Sequence, residues 1–350
     1  MAMTVNLEEA TDIMELAMRS NIVPFVQGSP GSGKSSVVRD LANKFNLCLI
    51  DMRAADKDPT DFNGFPSPDL KRGKAHFLPM EDFPLEDDEI PKGYDGWLLF
   101  LDEFNAADRN VQKAMYKLIL DRMIGSKRLH SRVIMICAGN LDTDGAITED
   151  LSTAMQSRLM HITTRTDPDA WLRWAVKANV DWRIVAYIRS FKSQLNTFEK
   201  DRDSNELTFA CERTWGDFAN RLIQQLPNNN LNSPLALRAL SGVVGEGNAR
   251  QFIGYSAVFG EIPTIDEICR DPQGCSVPSK PSTIYALTGS IATSANEQNV
   301  SVLLEYLERI PDEFQAVCIR ELAFRSPALK KTAAFSKWLM NNMDFIMDPE

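Results

Sequence analysis

The eight residues of Gly28–Ser35 constrain this chain more than any other stretch. They read Gly-Ser-Pro-Gly-Ser-Gly-Lys-Ser and fit the pattern G-x-x-x-x-G-K-[ST]. Residues 22–27 before them are apolar and partly β-branched, which favours a buried strand, and residues 36–45 after them carry apolar side chains at helical spacing. The pattern therefore stands between a strand and the N-terminus of a helix, where a phosphate-binding loop has to lie.

The residue types of this loop suit a nucleoside triphosphate. Gly28, Gly31 and Gly33 are expected to take positive φ values, so that backbone N–H groups can approach a phosphate closely. Lys34 is expected to reach the β- and γ-phosphates, and the Ser35 hydroxyl to bind Mg²⁺. The expected ligands are therefore ATP and Mg²⁺. The loop residues expected to contact the nucleotide are Gly28, Pro30, Gly31, Ser32, Gly33, Lys34, Ser35 and Ser36.

A second candidate element is the apolar run 97–101, which ends in Asp102 and Glu103. A buried strand that leaves the core at a charged turn would look the same. Downstream of a phosphate-binding loop, however, this order favours a catalytic interpretation. Asp102 is then expected to hold the hydration shell of Mg²⁺, and Glu103 to polarise the water that attacks the γ-phosphate.

A third candidate is Asn140, which follows the apolar run 133–138 and Gly139. Its amide could orient the attacking water from a neighbouring strand, or the pair could be an ordinary Gly-Asn turn. Beyond it the pattern predicts a helix over 148–156, then Ser157-Arg158 and a short strand over 159–162. Apolar strands that alternate with helices predict a parallel sheet covered on both faces.

The rest of the chain sets the organisation. Helices are predicted at 7–19 and 108–123, a second strand at 47–52, and a turn at 125–127. The segment 53–94 is too long for a structureless loop in a compact domain, so it is expected to be functional or to carry small elements of its own. After residue 166 only helices are predicted, at 167–177, 180–195, 214–226, 233–259 with breaks, 283–295, 299–310, 311–325 and 328–345.

Composition and charge bound the class of protein. The 350 residues are 44% apolar and carry a net charge of −10, and they are enough for two or three domains. The acidic excess makes nucleic acid an improbable main partner, although a basic pore inside an acidic shell would escape this test. No apolar run approaches the about 20 residues that span a bilayer, and residues 1–6 lack the layout of a signal peptide. We therefore expect a soluble cytoplasmic protein with no membrane partner.

The order of these motifs resembles an AAA+ ATPase, and more narrowly the MoxR-like ATPases of bacteria and their phages. The resemblance covers most of residues 20–225. It is carried by the phosphate-binding loop, 58–66, 98–105, 138–140, Ser157-Arg158, 171–175 and 212–215. Glu212 stands where proline is common in that family, so the match of the last stretch is weaker.

The resemblance implies a ring, usually a hexamer, with ATP bound between neighbouring subunits. In it Asn140 matches the sensor-1 position, Arg158 the arginine finger and Arg213 the sensor-2 arginine of the lid, while 53–94 would hold an insert that faces the pore or the substrate. It also implies a partner with a von Willebrand A-type domain, a remodelled or matured protein target, and the host cytoplasm if the chain is phage-encoded. Arg158 could instead be a structural cation at a helix end, and Arg213 an ordinary surface residue.

These observations predict an α/β P-loop NTPase core of the AAA+ type over 1–165, followed by an all-helical lid and C-terminal helical region over 166–350. The expected activity is Mg²⁺-dependent hydrolysis of ATP to ADP and phosphate in a homo-oligomeric ring, in the service of a protein partner. Two alternatives remain at this point. One is a nucleic-acid motor or loader with the same ATPase parts, and the other is a nucleotide-gated switch with negligible turnover.

Overall fold

The computed structural model describes residues 3–144, 148–201, 207–227, 230–257 and 262–342. The chain forms two compact units, Met1–Asp167 and Pro168–Glu350. The strands, all in the first unit, are β1 (Thr4–Val5), β2 (Val23–Gln27), β3 (Leu47–Arg53), β4 (Phe65–Asp69), β5 (Lys74–Leu78), β6 (Gly96–Asp102), β7 (Met123–Ile124), β8 (Lys127–Arg128), β9 (Val133–Gly139) and β10 (Leu159–Thr164). Its α-helices are α1 (Leu7–Arg19), α2 (Lys34–Lys44), α3 (Pro59–Asn63), α4 (Arg109–Asp121) and α5 (Thr153–Gln156).

Six strands form one parallel sheet in the order β1-β10-β2-β9-β6-β3. In a parallel sheet all strands end at the same edge, and the register aligns Gln27 with Gly139 and Arg53 with Asp102. Ligands of open α/β sheets bind at this carboxyl edge. The sheet therefore brings the loop after β2 and the ends of β9 and β6 together.

Both faces of the sheet are covered, as its continuous apolar strands predict. On one face the alternate residues Phe25, Leu99 and Leu101 pack with α4. On the other face Leu98 and Phe100 pack with α1 and α2. These side chains are removed from water almost completely, which makes the sheet a rigid base for the loops at its carboxyl edge.

Several predicted boundaries are wrong in this unit. The helix predicted over 108–123 ends at Asp121, because Arg122 takes a left-handed conformation and Met123 belongs to β7, and the strand predicted over 159–162 continues to Thr164.

The first strand begins at Val23, and Ile22 is exposed. The helix predicted over 148–156 is limited to α5, where the Ser152 hydroxyl caps the N-terminus by accepting from the Met155 N–H. The Glu149 N–H donates instead to the Asn105 carbonyl at 2.7 Å, which draws this stretch away from helical geometry. Residues 145–147 lie outside the described part.

The segment 53–94 carries elements of its own, as expected. After α3, strands β4 and β5 form an antiparallel hairpin that the sequence did not reveal, because prolines at 66 and 68 disguise β4. The acidic residues of 86–89 are exposed next to a turn in which the Glu86 N–H donates to the Arg128 carbonyl at 3.1 Å. The turn predicted at 125–127 is confirmed as the connection of the small β7–β8 hairpin.

The regular secondary structure described in the second unit is all helical. Its helices are α6 (Pro168–Lys177), α7 (Trp182–Ser190), α8 (Phe198–Asp201), a π-helical turn (Thr214–Ala219), α9 (Asn220–Gln225), α10 (Pro234–Val244), α11 (Glu246–Ala257), α12 (Ile265–Arg270), α13 (Pro281–Ser294), α14 (Val300–Leu307), α15 (Asp312–Arg325) and α16 (Ala333–Asn341). They enclose two apolar cores, one around Tyr187 and Trp215 and one around Leu303 and Tyr306.

The predicted helix positions of this unit hold apart from several differences, among them the helix predicted over 299–310, which ends at Leu307. The helix predicted over 180–195 ends at Ser190, and α8 and α12 are short helices that periodicity did not reveal. The last predicted helix is α16, preceded by a 3₁₀ turn at Pro327–Lys331, while residues 343–350 lie outside the described part. Among the helices described in the two units, none combines the length and apolar character that crossing a membrane requires.

Candidate functional site

The loop between β2 and α2 takes the geometry of a phosphate cradle. Gly31 and Gly33 have φ values of 77° and 93°, as predicted, and these values favour glycine strongly. The prediction for Gly28 is wrong, because its φ is not positive. A Cβ atom there would lie 2.0 Å from the Thr164 hydroxyl oxygen of β10, so Gly28 is required by this close approach instead.

The N-terminus of α2 is prepared for an anion. Gly33 holds the N-cap position and no side chain caps the helix, although the Ser36 N–H does donate to the Gly33 carbonyl at 3.1 Å. The Ser32 hydroxyl is buried beside this terminus with no hydrogen-bond partner, and Pro30 lies in the preceding turn. Uncapped N–H groups, the helix dipole and an unpartnered hydroxyl together fit a bound phosphate.

Lys34 is anchored within the loop. Its ammonium group donates to the carbonyl oxygens of Gly28 at 2.6 Å and Ser29 at 3.1 Å, and it lies 3.4 Å from the Asn140 side-chain oxygen. The residue is only 8% exposed. A buried ammonium that donates to the loop carbonyls places a positive charge within the loop, which suits the attraction of a phosphate.

Ser35 and Asp102 meet across the sheet. The Ser35 hydroxyl donates to one carboxylate oxygen of Asp102 at 2.8 Å, and the other oxygen accepts the Glu103 N–H at 2.9 Å. A hydroxyl and a carboxylate in contact are the hard oxygen donors that Mg²⁺ prefers beside substrate phosphates. The residues present therefore fit this metal.

Glu103 is held by a partner that the sequence analysis did not identify. Its φ of 55° is in the left-handed region, and its carboxylate pairs with the Arg53 guanidinium at 2.9 Å. Arg53 ends β3 and aligns with Asp102 in the register of the sheet. Arg53 precedes Glu103 by 50 residues in the sequence, and the pairing of β3 with β6 brings the two side chains together. The sequence does not reveal this pairing.

Asn105 is a second residue missed by the sequence analysis. Its buried side chain donates to the Asn140 carbonyl at 2.9 Å and accepts the Asn140 N–H at 3.2 Å. Both backbone groups of Asn140 are thereby fixed, and its side chain is left to face Lys34. Gly139 makes room for this clamp, since a Cβ there would lie 2.1 Å from the Asn105 side-chain oxygen.

Replacing Asn105 by alanine is expected to lower the free energy of unfolding by about 1–3 kcal/mol, because two partly buried backbone groups of Asn140 lose their partners. Thermal and urea unfolding would measure the change. The matched control is Asn110→Ala on the exposed face of α4, which is expected to stay within about 0.5 kcal/mol of the wild-type protein. Equal stabilities of the two variants would contradict the clamp.

Arg158 lies away from the phosphate loop of its own chain. It precedes β10, whose first residue Leu159 aligns with Val23 at the start of β2, whereas the loop follows the end of β2. At about 3.3 Å per residue these strands separate Arg158 from the loop by roughly 15 Å. The exposed guanidinium donates to the Ala154 carbonyl at the end of α5 at 2.6 Å and lies over the Tyr116 ring.

Arg213 belongs to the second unit. It is exposed at the N-terminus of the π-helical turn, between the buried residues Glu212 and Thr214. The Thr214 hydroxyl accepts the Cys211 N–H at 2.8 Å, and the Glu212 carboxylate accepts from Asn196 at 3.0 Å. These contacts fix the backbone on both sides and present the Arg213 side chain to the surface.

The fold and the loop geometry define a P-loop nucleotide-binding protein. Residues 25–164 match the model of the AAA family, the ATPase family associated with various cellular activities. This stretch begins on β2 and ends on β10, so it contains every residue of the site described above except Arg213. Residues 25–164 thus match an AAA ATPase domain, and this match supports ATPase activity, the conversion of ATP to ADP and phosphate.

Known whole proteins show only distant similarity to this chain. No curated protein matches the sequence. Among solved structures, a proposed ATPase from Cytophaga hutchinsonii is 13% identical over 99% of this chain and 92% of its own, with a TM-score of 0.35. A DNA polymerase III gamma subunit-related protein from Thermotoga maritima is 11% identical over 99% of this chain and 93% of its own, with a TM-score of 0.34. Such distant similarities carry no argument about activity.

Proposed function

We propose that this protein is a MoxR-like AAA+ ATPase that assembles into a ring and hydrolyses ATP with Mg²⁺. The conformational change that accompanies hydrolysis would remodel or mature a protein partner. The observation that carries the proposal is the separation of Arg158 from the loop of its own chain. A guanidinium at the opposite edge of the sheet can reach a γ-phosphate only in a neighbouring subunit. A site completed in this way requires an oligomer.

Within one subunit the roles follow from the contacts. The loop N–H groups and Lys34 would bind the phosphates, and Ser35 and Asp102 would hold Mg²⁺, which neutralises phosphate charge when bound. Glu103 accepts a proton from the attacking water, and Asn140, fixed by Asn105, orients that water. Arg158 of a neighbour offsets the charge of the transferring phosphoryl group, and Arg213 couples the nucleotide to the angle of the lid.

A mixing experiment tests the shared site. Arg158→Ala and Lys34→Ala are each expected to abolish turnover, because one lacks the finger and the other lacks the nucleotide. In an equimolar mixture, an interface is active when an Arg158→Ala subunit supplies the intact loop and a Lys34→Ala subunit supplies Arg158. Random assembly forms such an interface at roughly one position in four, so recovered phosphate release can reach at most about a quarter of the wild-type rate. Phosphate release by the mixture is the measurement.

The matched control for this experiment is Arg132→Ala, an exposed arginine that precedes β9 as Arg158 precedes β10. It is expected to keep wild-type turnover. No recovery in the mixture would contradict a finger supplied by a neighbour. It would favour the structural role in which Arg158 holds the end of α5 through the Ala154 carbonyl.

The two alternative functions make different predictions. A nucleic-acid motor needs a basic surface, and Lys71, Arg72 and Lys74 in the hairpin are the candidate for one, within a chain of net charge −10. A switch with negligible turnover would not need Glu103, Asn140 and Arg158 together. Stimulation of phosphate release by single-stranded DNA would favour the first alternative, and binding of ATP without turnover the second.

A further inference from the structure

The β4–β5 hairpin exposes apolar side chains on both of its faces. Phe65 is 53% exposed, Phe77 47% and Leu78 50%, and Leu70 at the tip is 89% exposed. The base of the hairpin lies near the β7–β8 turn, where a Cβ on Gly125 would be 3.1 Å from the Phe77 Cβ. A two-stranded hairpin with little packing of its own is marginally stable in water, and exposed apolar clusters of this kind mark interaction sites.

Two prolines determine which backbone groups of the hairpin point outward. Pro66 is opposite Phe77, and Pro68 is opposite Ala75. Because proline has no N–H, neither pair can be a hydrogen-bonded pair of the antiparallel ladder. The hydrogen-bonded pairs are therefore Phe65–Leu78, Ser67–His76 and Asp69–Lys74.

It follows that the two edges of the hairpin differ. The outer edge of β4 has prolines at both outward positions, so it offers no N–H group there. The outer edge of β5 presents the N–H and C=O groups of Ala75 and Phe77. Within the described residues, the backbone N–H and C=O groups of Ala75 and Phe77 make no hydrogen bond with another part of the chain. We call these outward groups of Ala75 and Phe77 the β5 edge.

The charged side chains around the β5 edge favour a ligand that carries negative charge. Lys71, Arg72 and Lys74 are exposed at the tip. The Asp69 carboxylate of β4 accepts the N–H groups of Lys71 and Arg72 at 3.1 and 3.2 Å, and it pairs with the Arg72 guanidinium at 3.7 Å. Residues 65–78 thus carry three basic side chains and one acidic one in a chain whose net charge is −10. An acidic segment complements this tip.

We propose that the β5 edge binds an extended polypeptide segment, rich in alternating acidic and apolar residues, as an added third strand. The backbone of such a segment supplies the donors and acceptors that Ala75 and Phe77 lack, its apolar side chains cover Phe77 and its acidic ones meet the basic tip. The proposal deepens the proposed function, since it rests on the partner's being a protein and names the segment of it that is bound.

The test uses Ala75→Pro in the full-length protein. Proline removes the outward N–H of residue 75 and leaves the inner ladder intact, as Pro68 already does on the opposite strand. The probe is a fluorescein-labelled nine-residue peptide that alternates Glu with Val, measured by fluorescence anisotropy. We expect it to bind Ala75→Pro at least tenfold more weakly than the wild-type protein, and to bind the control Ala75→Val, which keeps the N–H, unchanged.

Three further probes keep the test decisive if Ala75→Pro misfolds. A version of the peptide N-methylated on its five central amides, and a version with Lys in place of Glu, are each expected to bind the wild-type protein at least tenfold more weakly. Equal binding of the methylated peptide, or no binding of the acidic peptide up to millimolar concentration, would overturn the proposal. The third probe is a twenty-nucleotide oligothymidylate. If it bound more tightly than the acidic peptide and the peptide displaced it, the β5 edge would be a site for nucleic acid and the proposal would be overturned.

Phosphate release by the same samples separates this proposal from the proposed function. Ala75→Pro and Ala75→Val are expected to hydrolyse ATP equally, because the β5 edge contributes no atom to the site of Lys34 and Asp102. A wild-type protein that binds the peptide but releases no phosphate would contradict the proposed function alone. One that releases phosphate but fails the peptide test would contradict the strand addition alone.

Discussion

Glu103→Gln is expected to release phosphate at least about 100-fold more slowly than the wild-type protein while binding ATP with similar affinity. The amide keeps the shape of the side chain but cannot take a proton from water. It also keeps an oxygen for the Arg53 guanidinium, which holds the carboxylate at 2.9 Å, so the local structure should persist. Phosphate release and binding of a fluorescent ATP analogue are the two measurements.

The control for this variant is Glu86→Gln, which changes an exposed carboxylate in the turn after the hairpin. It should match the wild-type protein in both measurements. If Glu103→Gln kept most of the wild-type turnover, Glu103 would not be the base. Loss of ATP binding in the variant would instead assign Glu103 to the binding of the nucleotide.

Lys34→Ala is expected to weaken the binding of ATP at least about 100-fold, which abolishes turnover at ordinary nucleotide concentrations. The buried ammonium is the positive charge that lies within the cradle, and its removal also leaves the carbonyl oxygens of Gly28 and Ser29 without this donor. Both effects disfavour the approach of phosphates, the first by electrostatics and the second by loosening the loop. Titration of a fluorescent ATP analogue measures the affinity.

Lys44→Ala is the control for the loss of a lysine from the same helix. Lys44 lies at the other end of α2 and pairs with Glu15 on the surface, so its removal should leave nucleotide affinity unchanged. An affinity of Lys34→Ala within threefold of the wild-type value would contradict the assigned role of the loop.

Much of the nucleotide site could be predicted from sequence because its parts are local. The loop Gly28–Ser35 is identified by its spacing, and the pair Asp102–Glu103 by its place after an apolar strand downstream of that loop. The parallel sheet follows from apolar strands that alternate with helices. Strand order then decides what meets at the edge. That order brings Ser35 within 2.8 Å of Asp102, as the chemistry of Mg²⁺ required.

What the sequence could not reveal depends on pairing between distant strands or on side chains that act through another residue. Arg53 reaches Glu103 because β3 lies beside β6, and Asn105 fixes Asn140 across 35 residues of chain. The hairpin escaped detection because Pro66 and Pro68 obscure the pattern of a strand. The expected positive φ of Gly28 failed for a related reason, since the Thr164 hydroxyl that approaches it belongs to β10.

The measurement that tests the account most directly is steady-state phosphate release by the wild-type protein, with Mg²⁺ and then with EDTA in excess. We expect release that is linear in time, saturates with ATP and stops when Mg²⁺ is chelated. We also expect turnover per chain to rise with protein concentration, because each site needs a neighbour's Arg158. The absence of release above the buffer blank, at concentrations where the protein is oligomeric by light scattering, would contradict it.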